Sequence, residues 1–199
     1  FQPTVCKYTD NYILMLSTSK AFSYAGERCA VLGISNKLAE RRYPDLKEFC
    51  GQDIFARGII FGALHPLSSG TSHSAQYAVA GVMKAVNDGT YNYRDDVLEY
   101  GEKAKLMKDA FTSNGFEFTY SEDLGEPIAD GFYFTYYYPG FTGAELLEKM
   151  LYYGISAISL DTCGSTRQGI RACTSLIQRD EIPVLAERLK RFAEDHPIK

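Results

Sequence analysis

Two short apolar runs constrain this chain more than any other feature. Tyr12-Ile13-Leu14-Met15-Leu16 stops at the polar stretch Ser17-Thr18-Ser19-Lys20, and Cys29-Ala30-Val31-Leu32-Gly33-Ile34 follows it nine residues later. A membrane-spanning helix needs about 20 apolar residues, and no run of about 18 exists in the sequence. Runs this short are of strand length. Being apolar on both faces, they suit buried strands of a parallel or mixed sheet covered by helices. The expectation is an α/β fold with two buried strands joined by a polar loop.

Helical patterns follow. Asn36 is placed to cap a helix through Lys37 to Arg42, closed by Pro44. Residues 52–65 have helical apolar spacing at Ile54, Phe55, Ile59 and Leu64, weakened by glycines. Leu67 to Ser72 reads as a loop, and Ser72 or Ser74 as the cap of a helix from Ala75 to Asn87. A longer helix runs from Tyr93 to Asn114 and ends at Gly115. Beyond it the pattern alternates and is rich in aromatics, as in strands, at Phe116 to Phe118 and Phe132 to Tyr136. Thr142 and Glu145 outline a capping box ahead of Leu146 to Leu151. Ile155 to Leu160 and Gly169 to Cys173 read as strands, and Pro183 to Glu194 as a terminal amphipathic helix. The organisation expected is an α/β part over 1–92, a connecting helix over 93–115 and a small α+β unit over 116–199.

Composition excludes some functions. Lys plus Arg number 21 against 25 Asp plus Glu, a formal charge of −4. Non-specific nucleic-acid binding draws on a surplus of cations, so no nucleic-acid partner is expected, and no membrane partner either. The five cysteines, Cys6, Cys29, Cys50, Cys163 and Cys173, are widely spaced, and the three histidines do not cluster with them. That argues against a zinc site and against a disulfide framework. Reduced thiols in a cytoplasmic protein are the simplest reading. The chain starts Phe1-Gln2-Pro3 without Met. A processed protein or a piece of a longer chain is expected.

The densest chemical signal runs from Ser17 to Arg28. Hydroxyls, an ammonium and a guanidinium gather there at a strand end, where α/β folds bind ligands. Hydroxyls with an Arg suit a phosphate. A Lys beside a buried strand can lose solvation and become a nucleophilic amine. The combination points to pyridoxal 5'-phosphate. A solvated Ser/Lys loop with a surface Arg fits the same residues.

The order Asn11-Tyr12-Ile13-Leu14-Met15-Leu16, Ser17-x-Ser19-Lys20-Ala21-Phe22 and Ala25-Gly26-x-Arg28 resembles the lysine region of fold-type I, class I/II aminotransferases. Gly131-Phe132-Tyr133-Phe134 resembles that family's small-domain strand. Tyr153-Gly154-Ile155, Gly164-Ser165 and Gly169-Ile170-Arg171-Ala172-Cys173 resemble the region of its substrate-carboxylate arginine. The resemblance implies that 1–92 is the carboxy-terminal part of the large cofactor-binding α/β domain and 116–199 the α+β small domain. It implies that Lys20 forms a Schiff base with pyridoxal 5'-phosphate and shuttles a proton. Ser17 and Arg28 would hold the cofactor phosphate, Ser19 would add a hydrogen bond near it, and Arg171 would clamp the substrate α-carboxylate. Substrates would be an amino acid and a 2-oxo acid, and the full-length protein a homodimer. Ser68 to Ser74 resembles a stretch near the dimer interface.

The match departs from the family in two ways. Ala30 stands where many relatives carry Gly. The family's acidic residue for the pyridine nitrogen, its glycine-rich phosphate turn and its stacking aromatic ring are expected upstream of the lysine, and only 19 residues precede Lys20. This stretch alone is therefore expected to be inactive. His65 and His73 read as loop residues without a catalytic role, and Tyr133 to Tyr138 as strand packing. Two rival readings remain: another fold-type I enzyme, such as a carbon–sulfur lyase or decarboxylase, and a non-catalytic binding protein that reuses the small domain.

Overall fold

The computed structural model describes residues 4–128 and 131–198. Phe1-Gln2-Pro3, the start without Met, lies outside the described residues. The chain divides into two compact units, one ending at Tyr91 and one beginning at Asn92.

The first unit opens on strand β1 (Ile13–Ser17), followed by the single helical turn α1 (Thr18–Ala21) and strand β2 (Ala30–Ile34). The strands pair antiparallel, Ile13 opposite Ile34 and Ser17 opposite Ala30. The parallel or mixed sheet expected for these runs is corrected to a two-stranded antiparallel ladder. The expected burial is corrected too, since Met15 is 79% exposed and Leu14 47%. Successive strand residues point to opposite faces, so an all-apolar ladder needs a layer on each side. The long helix of this unit packs elsewhere, which leaves both faces of the ladder open among the described residues.

Helix α2 (Asn36–Ala39) is capped by the Ser35 hydroxyl, which accepts from Leu38 N, so the cap lies one residue before the expected Asn36. Helix α3 (Leu46–Cys50) had no clear sequence signal. The glycine-weakened stretch is continuously helical over 55–68, as α4 (Phe55–Arg57), a wider π-helical segment (Gly58–Leu64) and α5 (His65–Ser68). Within this segment Gly62 lies against Cys50, where a Cβ would collide with Cys50 Cβ and Sγ. Helix α6 (His73–Asn87) packs Ala75 and Val79 on Cys29, with Phe22, Tyr24 and Met83 around them.

The second unit runs α7 (Tyr93–Thr112), β3 (Glu117–Phe118), a hairpin of β4 (Glu122–Asp123) and β5 (Glu126–Pro127), β6 (Tyr133–Tyr137), α8 (Gly143–Leu151), β7 (Ile158–Ser159), β8 (Ile170–Cys173) and α9 (Ile182–Asp195). The capping box at Thr142 and Glu145 forms as expected. The four-stranded sheet has the order β3-β6-β8-β7, antiparallel throughout. Phe134 lies opposite Ala172, and Tyr136 opposite Ile170. These four residues are buried and belong to one core with Phe111, Leu146, Met150, Leu189 and Phe192. Phe111 stacks on Tyr136 at 4.3 Å between centroids and 5° between planes. Offset aromatic pairs of this kind add about 0.5–1.5 kcal/mol beyond area burial.

Close backbone approach fixes the entry to β8. Gly169 has φ +140°, a region side chains avoid, and a Cβ there would press into Tyr136 O and Thr119 Oγ1. Gly143, the first residue of α8, donates to Gln168 Oε1 at 2.8 Å. The loop ahead of β8 is thereby tied to the start of α8.

Candidate functional site

The chemistry-bearing residues fall in two places, one in each unit. The first is the connection between β1 and β2, residues 18–29. Ser17 ends β1 in extended conformation and is the N-cap residue of α1, but its side chain makes no capping bond. Neither the Ser17 nor the Ser19 hydroxyl has a protein partner among the described residues. Thr18 holds the turn in place. It is fully buried, its Oγ1 donates to Cys29 O at 2.5 Å, and its carbonyl accepts from Phe22 N at 3.1 Å and Tyr24 N at 3.2 Å. Thr18 is the positioning residue that sequence reading passed over. A hydroxyl between two polar neighbours gives no signal until the strand pairing brings Cys29 beside it.

Lys20 lies in the last turn of α1 and is exposed. The desolvation expected of a lysine beside a buried strand is absent among the described residues, because that strand is itself open. Arg28 is also exposed, with left-handed backbone at φ 52°, and donates from Nη1 to Ala25 O at 2.8 Å. Ser23 has φ 52° as well. Two non-glycine residues in this region within one short connection mark backbone strain. Ser17, opposite Ala30 in the ladder, and Arg28, two residues before Ala30, are brought to the same ladder end, with Ser19 and Lys20 on the turn between them.

These residues fit a phosphorylated aldehyde such as pyridoxal 5'-phosphate. Two hydroxyls and a guanidinium with donors to spare suit a phosphate, and a primary amine such as that of Lys20 is a group that can capture an aldehyde. Among the described residues no group of three or more His, Cys, Asp or Glu side chains could hold a metal ion, and no helix is long and apolar enough to cross a membrane.

The second place is the outer face of the four-stranded sheet. Arg171 stands on β8, opposite Thr135 of β6 and Ile158 of β7. Its guanidinium lies over the Tyr133 ring, 4.4 Å from Cζ to the centroid. Thr135 Oγ1 accepts from Tyr120 N at 3.1 Å. Tyr137 donates to Glu117, and this hydrogen bond, more than burial or charge, pushes the phenol above its ordinary range. The aromatic run thus divides. Phe134, Tyr136 and Tyr138 are core, whereas Tyr133 and Tyr137 make polar and cation contacts outside it. His65 and His73 are helical, the first residues of α5 and α6, not loop residues as expected. His65 O accepts from Ser69 N at 2.8 Å, so it serves to close a helix.

No protein-family model and no curated protein matches the sequence. Solved structures do match. An aspartate aminotransferase from Thermotoga maritima aligns with TM-score 0.61 at 14% identity, over 92% of this chain and 40% of its own. An amino transferase from Eubacterium rectale aligns with TM-score 0.56 at 17% identity, over 98% and 42%. An L-threonine-O-3-phosphate decarboxylase from Porphyromonas gingivalis aligns with TM-score 0.57 at 18% identity, over 94% and 48%. The chain thus spans less than half the length of each of these proteins. At such identity the likeness is one of fold: a mixed α/β chain matching the carboxy-terminal portion of aminotransferase structures.

Proposed function

We propose that this chain is the carboxy-terminal portion of a fold-type I pyridoxal-phosphate enzyme that moves an amino group between an amino acid and a 2-oxo acid. The observation that carries the reading is the turn after β1. Residues resembling the family's lysine motif stand on it in order, with Ser17 and Ser19 hydroxyls that no protein group occupies, in a chain whose fold matches aminotransferases.

Each residue has a task in this reading. Arg28 and Ser17 bind the cofactor phosphate, with Ser19 donating beside them. Thr18 orients the turn through its bond to Cys29 O. Lys20 would hold the cofactor aldehyde through its amine and, with that amine released to the substrate's, would serve as the general base and acid at the substrate α-carbon. Arg171 binds the substrate α-carboxylate, a bidentate task suited to a guanidinium fork. Pyridoxal phosphate, when bound, supplies the electron sink that makes that α-proton removable. The full-length protein is proposed to act as a homodimer.

Borohydride reduction of the full-length protein with pyridoxal phosphate, followed by peptide mapping, tests the assignment. The pyridoxyl label is expected on Lys20, and a label on another lysine overturns it. A second reading, decarboxylation, is favoured by the likeness to the Porphyromonas gingivalis decarboxylase. Carbon dioxide release without amino transfer, measured on the full-length protein, would select it.

A further inference from the structure

Four arginines of the second unit spend their side-chain donors on protein acceptors, and Arg171 does not. In the second unit, Arg167 donates to Thr119 O at 2.8 Å, Arg188 to Gly154 O at 2.8 Å, Arg179 to Glu99 and Arg191 to Glu187. Among the described residues the half-buried Arg171 guanidinium makes no hydrogen bond and no ion pair. What holds it is the ring of Tyr133.

The geometry under this contact is fixed. β8 is an interior strand, paired with β6 on one side and β7 on the other. Thr135 is directly opposite Arg171, and Tyr133 is opposite Cys173, one same-face position further along. That makes Tyr133 the diagonal neighbour of Arg171, within reach of an aromatic ring. The ring is braced in turn. Phe132 meets Tyr133 edge-on at 6.5 Å and meets Tyr100 of α7 at 4.7 Å. A row of rings therefore runs from α7 to the guanidinium.

A ring that holds a guanidinium through a cation–π contact offers it no oxygen or nitrogen acceptor, so its N–H donors stay available to an anion. A carboxylate partner would have consumed them. We propose that Tyr133 is a positioning residue for Arg171, holding the guanidinium through the cation–π contact so that its unused donors meet a carboxylate. This rests on the reading of Arg171 as the carboxylate-binding residue. Without the ring the side chain keeps its charge and gains rotamers, so binding weakens without being lost. Exposed cation–π contacts are modest, and the expected loss is about 3-fold in affinity.

The test uses full-length protein labelled with 15N-arginine and acetate as the probe. The Nε–H resonance of Arg171 is identified by its absence in Arg171→Lys. It is expected to move on acetate titration with the same midpoint in the wild type and in Tyr133→Phe, which keeps the ring. In Tyr133→Leu the midpoint rises about 3-fold. Tyr133→Thr, a second ring-less variant suited to a strand, gives the same shift and guards against one variant misfolding. With an amino-acid substrate, the same two variants raise KM about 3-fold and leave kcat unchanged. Unchanged midpoints in both ring-less variants overturn the role of Tyr133 and leave that of Arg171 standing. A wild-type Arg171 resonance that ignores acetate overturns the Arg171 reading, and the positioning role with it.

Discussion

The two units of this chain hold their proposed chemistry in opposite ways. In the second unit, Arg171 rises from an interior strand of a sheet whose other face closes on a core containing Leu146, Met150, Leu189 and Phe192, all 0% exposed. In the first, Lys20 sits on a turn at the end of an open two-stranded ladder, and the buried hydrophobic cluster beneath it is Cys29, Ala75 and Val79. One residue is held by a core. The other is held by a few hydrogen bonds, chiefly those of Thr18. Local stability follows buried apolar contact, so the β6–β8 amides should exchange far more slowly than those of β1 and β2. The largest expected effect breaks this contrast from the strong side. Phe192→Ala should cost about 3–5 kcal/mol, the usual cost of removing a fully buried phenylalanine. Leu14→Ala, at a position 47% exposed, should cost about 0.5 kcal/mol. Urea unfolding followed by hydrogen exchange in each unit measures both. Equal costs, or equally slow exchange in β1 and β6, would dissolve the contrast.

The same contrast explains what could be read in advance. The second unit was legible because its patterns agree with its packing. Alternation in Phe132 to Tyr136 matches a strand with one buried face, and Thr142 with Glu145 forms the capping box that its spacing announces. The hairpin of β4 and β5 was missed, though Leu124 and Gly125 both take positive φ, at 51° and 81°, as tight hairpin turns require. Leu124 disguised the turn. In the first unit, continuous apolar runs suggested burial that the described residues do not provide. Apolar character states what a strand could bury, not what lies beside it. The site residues were legible as a resemblance and a chemical set. The contact of Arg171 with the Tyr133 ring was not, because the two stand 38 positions apart and meet only through strand register. The bond from Thr18 to Cys29 was hidden for the same reason.

A smaller effect is expected from that bond. Thr18→Val keeps the shape and removes the hydroxyl donor, while Cys29 O retains the weaker bond from Thr18 N at 3.3 Å. A net hydrogen bond is worth about 1 kcal/mol, so the amides of Phe22 and Tyr24 should exchange about 5-fold faster. The β6 and β8 amides should not change. A global loss of protection would mean that the turn is coupled to far more of the chain than its own contacts indicate.

The smallest expected effect lies at the edge of the well-packed unit and depends on pH. Tyr153 donates to Asp195 at 2.6 Å, and that bond, ahead of burial and charge, pushes its phenol from about 10 up to about 12. A group held protonated by the fold stabilises the fold while its unfolded form is also protonated. The contribution is therefore fully present below pH about 10 and is lost as pH rises through about 12. Tyr153→Phe removes the donor and should flatten that alkaline arm, lowering stability between pH 6 and pH 8 by the same small amount that the arm loses, since the pair lies at the surface. Thermal melting of wild type and variant from pH 8 to pH 12 measures the slope. If the slope survives in Tyr153→Phe, another phenol carries it. Tyr138, raised by burial, is the group to replace next, and that result would move the pH-sensitive contact from the rim of this unit into its core.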